Sequence, residues 1–166
     1  MRWIVLVVST TTLPTVMFSA SLLARDVVEF SGKAGPGTIV VRTNERSLYL
    51  VVAKSRAIRY PVGVGRVDKQ WFGWTSIASR HLRPAWSPPA EIGRGRPTWV
   101  IPSDSPRNPM GAAALVLDDN ELAIHGTNSP GSVGHFVSWG CIRMHNRDVM
   151  DLYNHVGVGR RVVFTR

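Results

Sequence analysis

Thr38-Ile39-Val40-Val41-Arg42-Thr43-Asn44-Glu45-Arg46-Ser47-Leu48-Tyr49-Leu50-Val51-Val52 decides the fold class. Two runs rich in branched and aromatic residues flank a short polar gap. Such runs suit a pleated, packed surface and predict paired strands, not helix. A third run, Ala57-Ile58-Arg59-Tyr60-Pro61-Val62, follows the tight Lys54-Ser55-Arg56 turn, so the three form a meander.

Working outward, Asp26 to Gly37 holds Gly32, Gly35, Pro36 and Gly37, and residues 25–36 read as a linker. Downstream, Ala112 to Leu117 and Glu121 to Ile124 predict two more strands, turned by Asp118-Asp119-Asn120. Asn146 is placed to cap a helix from Arg147 to about His155, with Val149, Met150, Leu152, Tyr153 and Val156 as its apolar face and Gly157 at its end. Arg161 to Phe164 is a final strand. Between the meander and Ala112 lies an aromatic, proline-rich tract that includes Trp71, Trp74, Trp86, Trp99, Pro88 and Pro97. So many prolines argue against regular helix. Two readings stand: a long excursion pinned to the core by tryptophan, or a lid over a site. The sum is a mainly β domain with one short C-terminal helix.

The chain has 166 residues, enough for one domain with a sizeable core. After Arg2 no charge occurs until Arg25; the apolar residues between, with Ala20 and Ala24 near the end, read as a secretory signal over residues 1–24. An N-terminal membrane anchor is the competing reading, weakened by Pro14 and the Ser9 to Thr12 hydroxyl run. The chain is therefore expected in the periplasm or cell envelope. Net charge is +9. The basic residues are scattered, with no tail and no nucleic-acid motif, so no nucleic-acid partner is expected.

Cys141 is the single cysteine. An exported chain normally pairs its thiols, so a lone one suggests a reactive group. His125 lies 16 positions earlier, within reach if two neighbouring strands bring their ends together. An imidazole there can take the thiol proton, or hold the thiolate as an ion pair, and later protonate a leaving amine. Gly140 allows close backbone approach, and N–H groups around Gly140 and Cys141 are placed to face a developing oxyanion. Arg143 supplies charge for a thiolate or for a substrate carboxylate. His135 is a rival base. His125, His135, His145 and His155 are evenly spaced, but no short HxxxH or CxxC pattern occurs, so no metal site is expected.

The string His125-Gly126-Thr127-Asn128, Pro130, Gly134, Ser138-x-Gly140-Cys141-Ile142-Arg143-Met144, Asn146, Asp148-Val149 resembles the L,D-transpeptidase catalytic domain of the YkuD family. Leu48-Tyr49-Leu50, Tyr60-Pro61-Val62-Gly63-Val64-Gly65 and Asn108-Pro109-Met110-Gly111-Ala112 fit the same pattern, so the resemblance covers roughly residues 37–166. Trp86-Ser87-Pro88-Pro89-Ala90-Glu91 is similar to the Gram-negative form. The resemblance implies a β-sandwich-like fold and a wall enzyme without cofactor. It implies that Cys141 attacks the bond between an L-centre and the following D-alanine of a peptidoglycan stem, with His125 as proton donor and acceptor. An amine acceptor then gives a 3→3 cross-link; water would give an L,D-carboxypeptidase or amidase. Ser138, Gly140, Arg143 and Gly126 belong to the signature and are expected around the acyl site, and carbapenems are expected as covalent inhibitors. Many members carry histidine where this chain has Trp139. A non-catalytic wall-binding role fits poorly with an intact Cys141 and His125.

Overall fold

The computed structural model describes residues 26–88, 99–118 and 122–166. The leader, the Asp119-Asn120 turn and the second half of the Trp86 to Glu91 motif lie outside the described residues. The described elements run β1 (Val27–Glu29), β2 (Ile39–Arg42), β3 (Ser47–Ala53), β4 (Arg56–Pro61), β5 (Val64–Gly65), β6 (Gly73–Leu82), β7 (Ala113–Leu117), β8 (Ala123–His125), β9 (Phe136–Ser138), β10 (Ile142–Arg143), α1 (Asn146–His155) and β11 (Arg161–Thr165). Nine strands form one sheet in the order β1-β4-β3-β2-β11-β6-β7-β8-β10, and β5 pairs with β9 beside it. The β2–β11, β8–β10 and β5–β9 pairs are parallel.

The meander folds as its residues dictate. Ile39 and Val41, Leu48 and Leu50, and Ile58 and Tyr60 point to one face of β2, β3 and β4. Val40, Tyr49, Val51 and Ala57 point to the other. Both faces are covered, which explains why these strands read as nearly continuous apolar runs and not as strict alternation. On the first face the meander meets Leu115 and Leu117 of β7, Ile124 of β8, Ile142 of β10 and Val149 and Leu152 of α1.

The strand β6 joins the two halves of this arrangement. Its Gly73 to Ser76 stretch pairs with β11 and its Ile77 to Leu82 stretch with β7, with a register irregularity between Ile77 and Ser79. One long strand thus passes from one half-sheet to the other, and the main core fills the space between them, which is the sandwich-like packing expected. The sequence reading missed β6, because a strand of ten residues lies inside the tract read only as aromatic and proline-rich. Its prolines begin after Leu82, so they stop the strand without interrupting it. Trp71 does pin this region to the core, edge-on against Phe164 with ring centroids 4.8 Å apart. Trp74 and Trp99 are exposed instead.

Two further expectations need correction. Residues 26–36 are not a free linker: β1 pairs with β4 in the register Val27↔Ile58, Val28↔Ala57, Glu29↔Arg56. Val28, Phe30 and Ala34 then cover Val40, Tyr49, Val51 and Ala57. The glycines and Pro36 suggested flexibility, but an uncovered second face would leave those side chains in water. Asn146 is not the cap of α1. His145 occupies that position with no side-chain bond to the helix, and Asn146 is the first helical residue. Its amide is drawn away to the strands beside it, as described below.

Candidate active site

The site is built on the parallel pairing of β8 and β10. Ile124 lies opposite Ile142 and His125 opposite Arg143. Both isoleucines are buried in the main core. Side chains alternate across a strand, so Ala123 and His125, with Cys141 and Arg143, point to the opposite face. The register therefore gathers the candidate thiol, imidazole and guanidinium on one surface, although the chain between them makes a 3₁₀ turn at Pro130–Ser132 and the whole of β9.

Cys141 is half-buried and unpaired. Burial pushes its thiol above the ordinary range; a backbone hydrogen bond with Ala123 and the charge of Arg143 pull the other way without prevailing. The thiol is thus protonated at rest.

His125 is 4% exposed. Its Nδ1 lies 2.6 Å from the Gly126 carbonyl oxygen. A carbonyl only accepts, so Nδ1 carries the proton and donates. Burial lowers the imidazole from 6.5 to about 4; the Gly126 and Pro109 carbonyls oppose that fall and the Arg143 charge deepens it. A neutral imidazole on the same face as a neutral thiol is a base waiting for a proton, not a preformed ion pair.

The turn before Cys141 is held by Ser138. This buried serine donates from Oγ to the Cys141 carbonyl at 2.6 Å and accepts from the Gly140 N–H at 3.1 Å. Gly140 has φ of +122°, a conformation that favours glycine, and a Cβ there would stand 2.8 Å from Leu122 Cδ2. One expectation changes as a result. The Gly140 N–H is committed to Ser138 Oγ, so Ser138 and Gly140 shape the turn that carries the thiol, and Gly140 does not offer its N–H to an oxyanion.

Gly126 also has a structural task. A Cβ on Gly126 or on Gly111, whose φ is +64°, would collide with Asn146 Oδ1. That oxygen accepts from the Ala112 N–H at 3.0 Å and the Thr127 N–H at 3.1 Å, while Asn146 Nδ2 donates to the Thr127 carbonyl at 3.1 Å. One side chain at the start of α1 thereby ties the approach to β7 to the residues that follow His125. The sequence reading noted Asn146 in the signature but assigned it only a helix cap; the paired glycines at 111 and 126 were the available signal for a side chain passing between them. Asn108 does similar work, donating to the Pro84 and Pro102 carbonyls and accepting from the Met110 N–H at 2.9 Å. It fixes the loop whose Pro109 carbonyl acts on His125.

Arg143 is half-buried in β10, bonded through its backbone to Gly63 in both directions at 2.8 Å. Among the described residues no carboxylate lies within ion-pair distance of its guanidinium. His135 is exposed, and its carbonyl holds the Val64 N–H at 2.9 Å. His155 Nδ1 lies 2.7 Å from the Asp151 carbonyl, and His81 pairs with Ser79 Oγ. The even spacing of the histidines brings no cluster together: among the described residues no three His, Cys, Asp or Glu side chains converge.

The family model for the L,D-transpeptidase catalytic domain, YkuD, matches residues 36–164. The putative L,D-transpeptidase YkuD of Bacillus licheniformis is 37% identical over 130 residues, covering 78% of this chain and 66% of that protein. The probable L,D-transpeptidase YbiS of Escherichia coli is 33% identical over 135 residues, covering 77% of this chain and 44% of that one. The chain thus spans between about two fifths and two thirds of the length of these curated relatives. In fold it is similar to L,D-transpeptidase 3 from Mycobacterium tuberculosis, solved with a faropenem-derived adduct, with a TM-score of 0.62, 15% identity, and coverage of 78% of this chain and 60% of that one. With the signature residues gathered on one surface of a matching fold, the chain belongs to the YkuD family of L,D-transpeptidase catalytic domains.

Proposed function

We propose that this chain is a peptidoglycan L,D-transpeptidase that works through an acyl-enzyme on Cys141. The observation that carries the proposal is the β8–β10 register, which sets Cys141, His125 and Arg143 on one face. In the first step His125 takes the thiol proton as Sγ attacks the carbonyl carbon of the L-centre. The Sγ–C bond forms, the C–N bond to D-alanine breaks, and the proton passes to the leaving amine. In the second step an amine of another stem attacks the thioester. The C–N bond forms, the C–S bond breaks, and the amine's proton returns through His125 to the sulfur.

Burial keeps both groups neutral at rest and sets a cost on the proton transfer between them that substrate binding must offset. A neutral thiol survives burial until substrate arrives, and a neutral imidazole can accept a proton over most of the physiological range. Arg143 supplies a carboxylate site beside the departing and arriving amines, and the Cys141 N–H is the donor we assign to the oxyanion. No metal or organic cofactor has a role in these steps. A wall substrate requires export, which is the task we assign to residues 1–24. Among the described residues no helix is long and apolar enough to cross a membrane. Carbapenems should acylate the same sulfur, a reading supported by the faropenem-derived adduct of the mycobacterial neighbour.

Incubation with a purified tetrapeptide stem tests the reaction. Free D-alanine with a stem dimer is the expected product pair. Tripeptide alone would show water as the acceptor and reassign the chain as a carboxypeptidase; no release of D-alanine would remove both readings.

A further inference from the structure

The apolar face that residues 26–36 cover is only partly sealed. Phe30 and Ala34 lie over Val40 and Tyr49. The next strand beyond β2 is β11, whose Val163 pairs with Val40 and stays half-buried. Between the covering segment and these two strands lies a cavity of about 480 Å³. That size falls within the range of small-molecule sites, about 300–1,000 Å³. Its lining comes entirely from residues 30–42 and 161–165, so it is separate from the β8–β10 site.

The floor of the cavity is apolar, formed by Phe30, Ala34, Val40 and Val163. Its rim is cationic, with Lys33, Arg42 and Arg161, and no carboxylate lines it. The three cations are not equivalent. Arg42 is committed: it donates to Glu45 Oε1 at 3.1 Å and to the Ser31 carbonyl, and it stands 5.0 Å from the Phe30 and 5.1 Å from the Tyr49 ring centroid. It anchors the covering segment to the sheet. Lys33 and Arg161 are exposed, and among the described residues neither has a carboxylate within ion-pair distance. The N–H groups of Gly32, Lys33, Ala34 and Gly35 have no backbone acceptor among the described residues. The loop thus adds backbone donors to a rim that is already positive.

An apolar floor gives a bare inorganic anion nothing to bond, and cations without partners give nothing to a neutral hydrocarbon. An added peptide strand has no place here either, because β2 and β11 are both interior to the sheet and offer no free edge. We infer that the cavity binds an anionic amphiphile, a phosphate or carboxylate head on an apolar body, with the head at Lys33 and Arg161 and the body over Phe30, Val40 and Val163. The surface beside it repeats the pairing of cation and apolar ring. The Arg161 guanidinium carbon stands 5.1 Å from the centroid of Trp74, which is 65% exposed, and that of Arg166 stands 5.5 Å from the Phe72 centroid. Trp74 lies opposite Val163 in the β6–β11 register, so this ring adjoins the cavity wall. Aromatic rings flanked by basic side chains suit an anionic lipid interface. Two sources supply such a ligand: a free amphiphile, or a lipid still in its bilayer.

Titration of the full chain with octyl phosphate, kept below its micelle concentration, tests the site. Octyl glucoside supplies the body without the charge, and inorganic phosphate the charge without the body. The wild type should bind octyl phosphate about tenfold tighter than either, or more, the worth of one charge-assisted hydrogen bond or of a few buried methylenes. In the double variant Lys33→Gln, Arg161→Gln, octyl phosphate should lose its advantage over octyl glucoside, while octyl glucoside binds as before. Both side chains are exposed, so the variant keeps the fold. Equal affinity of the wild type for octyl phosphate and octyl glucoside overturns the inference, as does equal affinity for octyl phosphate and inorganic phosphate. An unchanged preference in the double variant overturns it too, since the probe then binds elsewhere. Flotation with phosphatidylcholine vesicles, with and without phosphatidylglycerol, separates the sources. Binding to the anionic vesicles that the double variant loses identifies a bilayer lipid; octyl phosphate binding without vesicle binding identifies a free amphiphile. None of these measurements involves Cys141, so their outcome is independent of the transpeptidase reading.

Discussion

At the scale of the residue, everything turns on a thiol and an imidazole that are both neutral at rest. Replacing Cys141 by alanine should abolish acylation while leaving the melting temperature within a few degrees of wild type, since the side chain is half-buried and small. Intact-protein mass spectrometry with a carbapenem checks this: one adduct on the wild type and none on Cys141→Ala. The imidazole makes a second prediction with a defined sign. His125 has a folded pKa of about 4 against 6.5 when exposed. Between those values the unfolded chain binds the proton and the folded chain does not, so stability rises with pH across this window. The full difference is about 3 kcal/mol, absent above pH 6.5 and complete below pH 4. Urea melts from pH 4 to 7 should show this slope in the wild type, and the slope should be reduced in His125→Asn by that amount. An unchanged slope would mean that His125 is protonated in the folded protein. The acid limb of kcat/KM should likewise lie below pH 6, not near the ordinary histidine value.

At the scale of the element, the site depends on contacts between pieces that are far apart in sequence. Asn146 on α1 makes three hydrogen bonds to Ala112 and Thr127. Asn146→Ala should lower stability by about 2 kcal/mol, as part-buried backbone groups lose partners. It should also slow acylation, because the Gly126 carbonyl that orients His125 is held between them. Single-turnover acylation by a carbapenem measures that effect in the folded protein; an unchanged rate would reduce Asn146 to a purely structural clamp. This is also where the legibility of the sequence ended. The meander, β7, β8 and the helix were readable because each has its own local signal: branched residues, turn residues, a 3.6-residue apolar period. The track joining β8 to β10 was readable only as a spacing between His125 and Cys141. Asn146 looked like a cap because its real partners lie 19 and 34 residues away in the chain. The strand β6 was hidden by prolines that actually follow it. The function of Gly140 could be anticipated from its lack of Cβ, but its N–H bond to Ser138 could not, since that depends on a side chain turning back on its own loop.

At the scale of the molecule, two half-sheets enclose one core and a second apolar face is sealed by residues 26–36. Phe30 is the largest side chain in that seal. It is buried, packs tilted against Tyr49 with ring centroids 5.5 Å apart, and lies beneath the Arg42 guanidinium at 5.0 Å. Phe30→Ala should cost about 3 kcal/mol, in the range for deleting a buried aromatic. It should leave the rate of acylation per folded molecule unaltered, because the seal lies at the β1–β4 end of the sheet and the thiol beside β10 at the other. Thermal melts paired with single-turnover acylation test both halves; a large loss of rate without loss of stability would mean that the two ends are coupled. Among the described residues the architecture is then a stable two-faced sheet with the candidate chemistry at one edge, where β8 and β10 run side by side.

In the mechanism proposed for this chain, Cys141 carries the acyl group between donor and acceptor. The most direct measurement is intact-protein mass spectrometry of the enzyme quenched in acid shortly after mixing with a tetrapeptide stem, followed by peptide mapping. The expected result is an added mass equal to the stem less free D-alanine, located on Cys141. Turnover of the same stem without that adduct under single-turnover conditions, or an adduct on another residue, would contradict it.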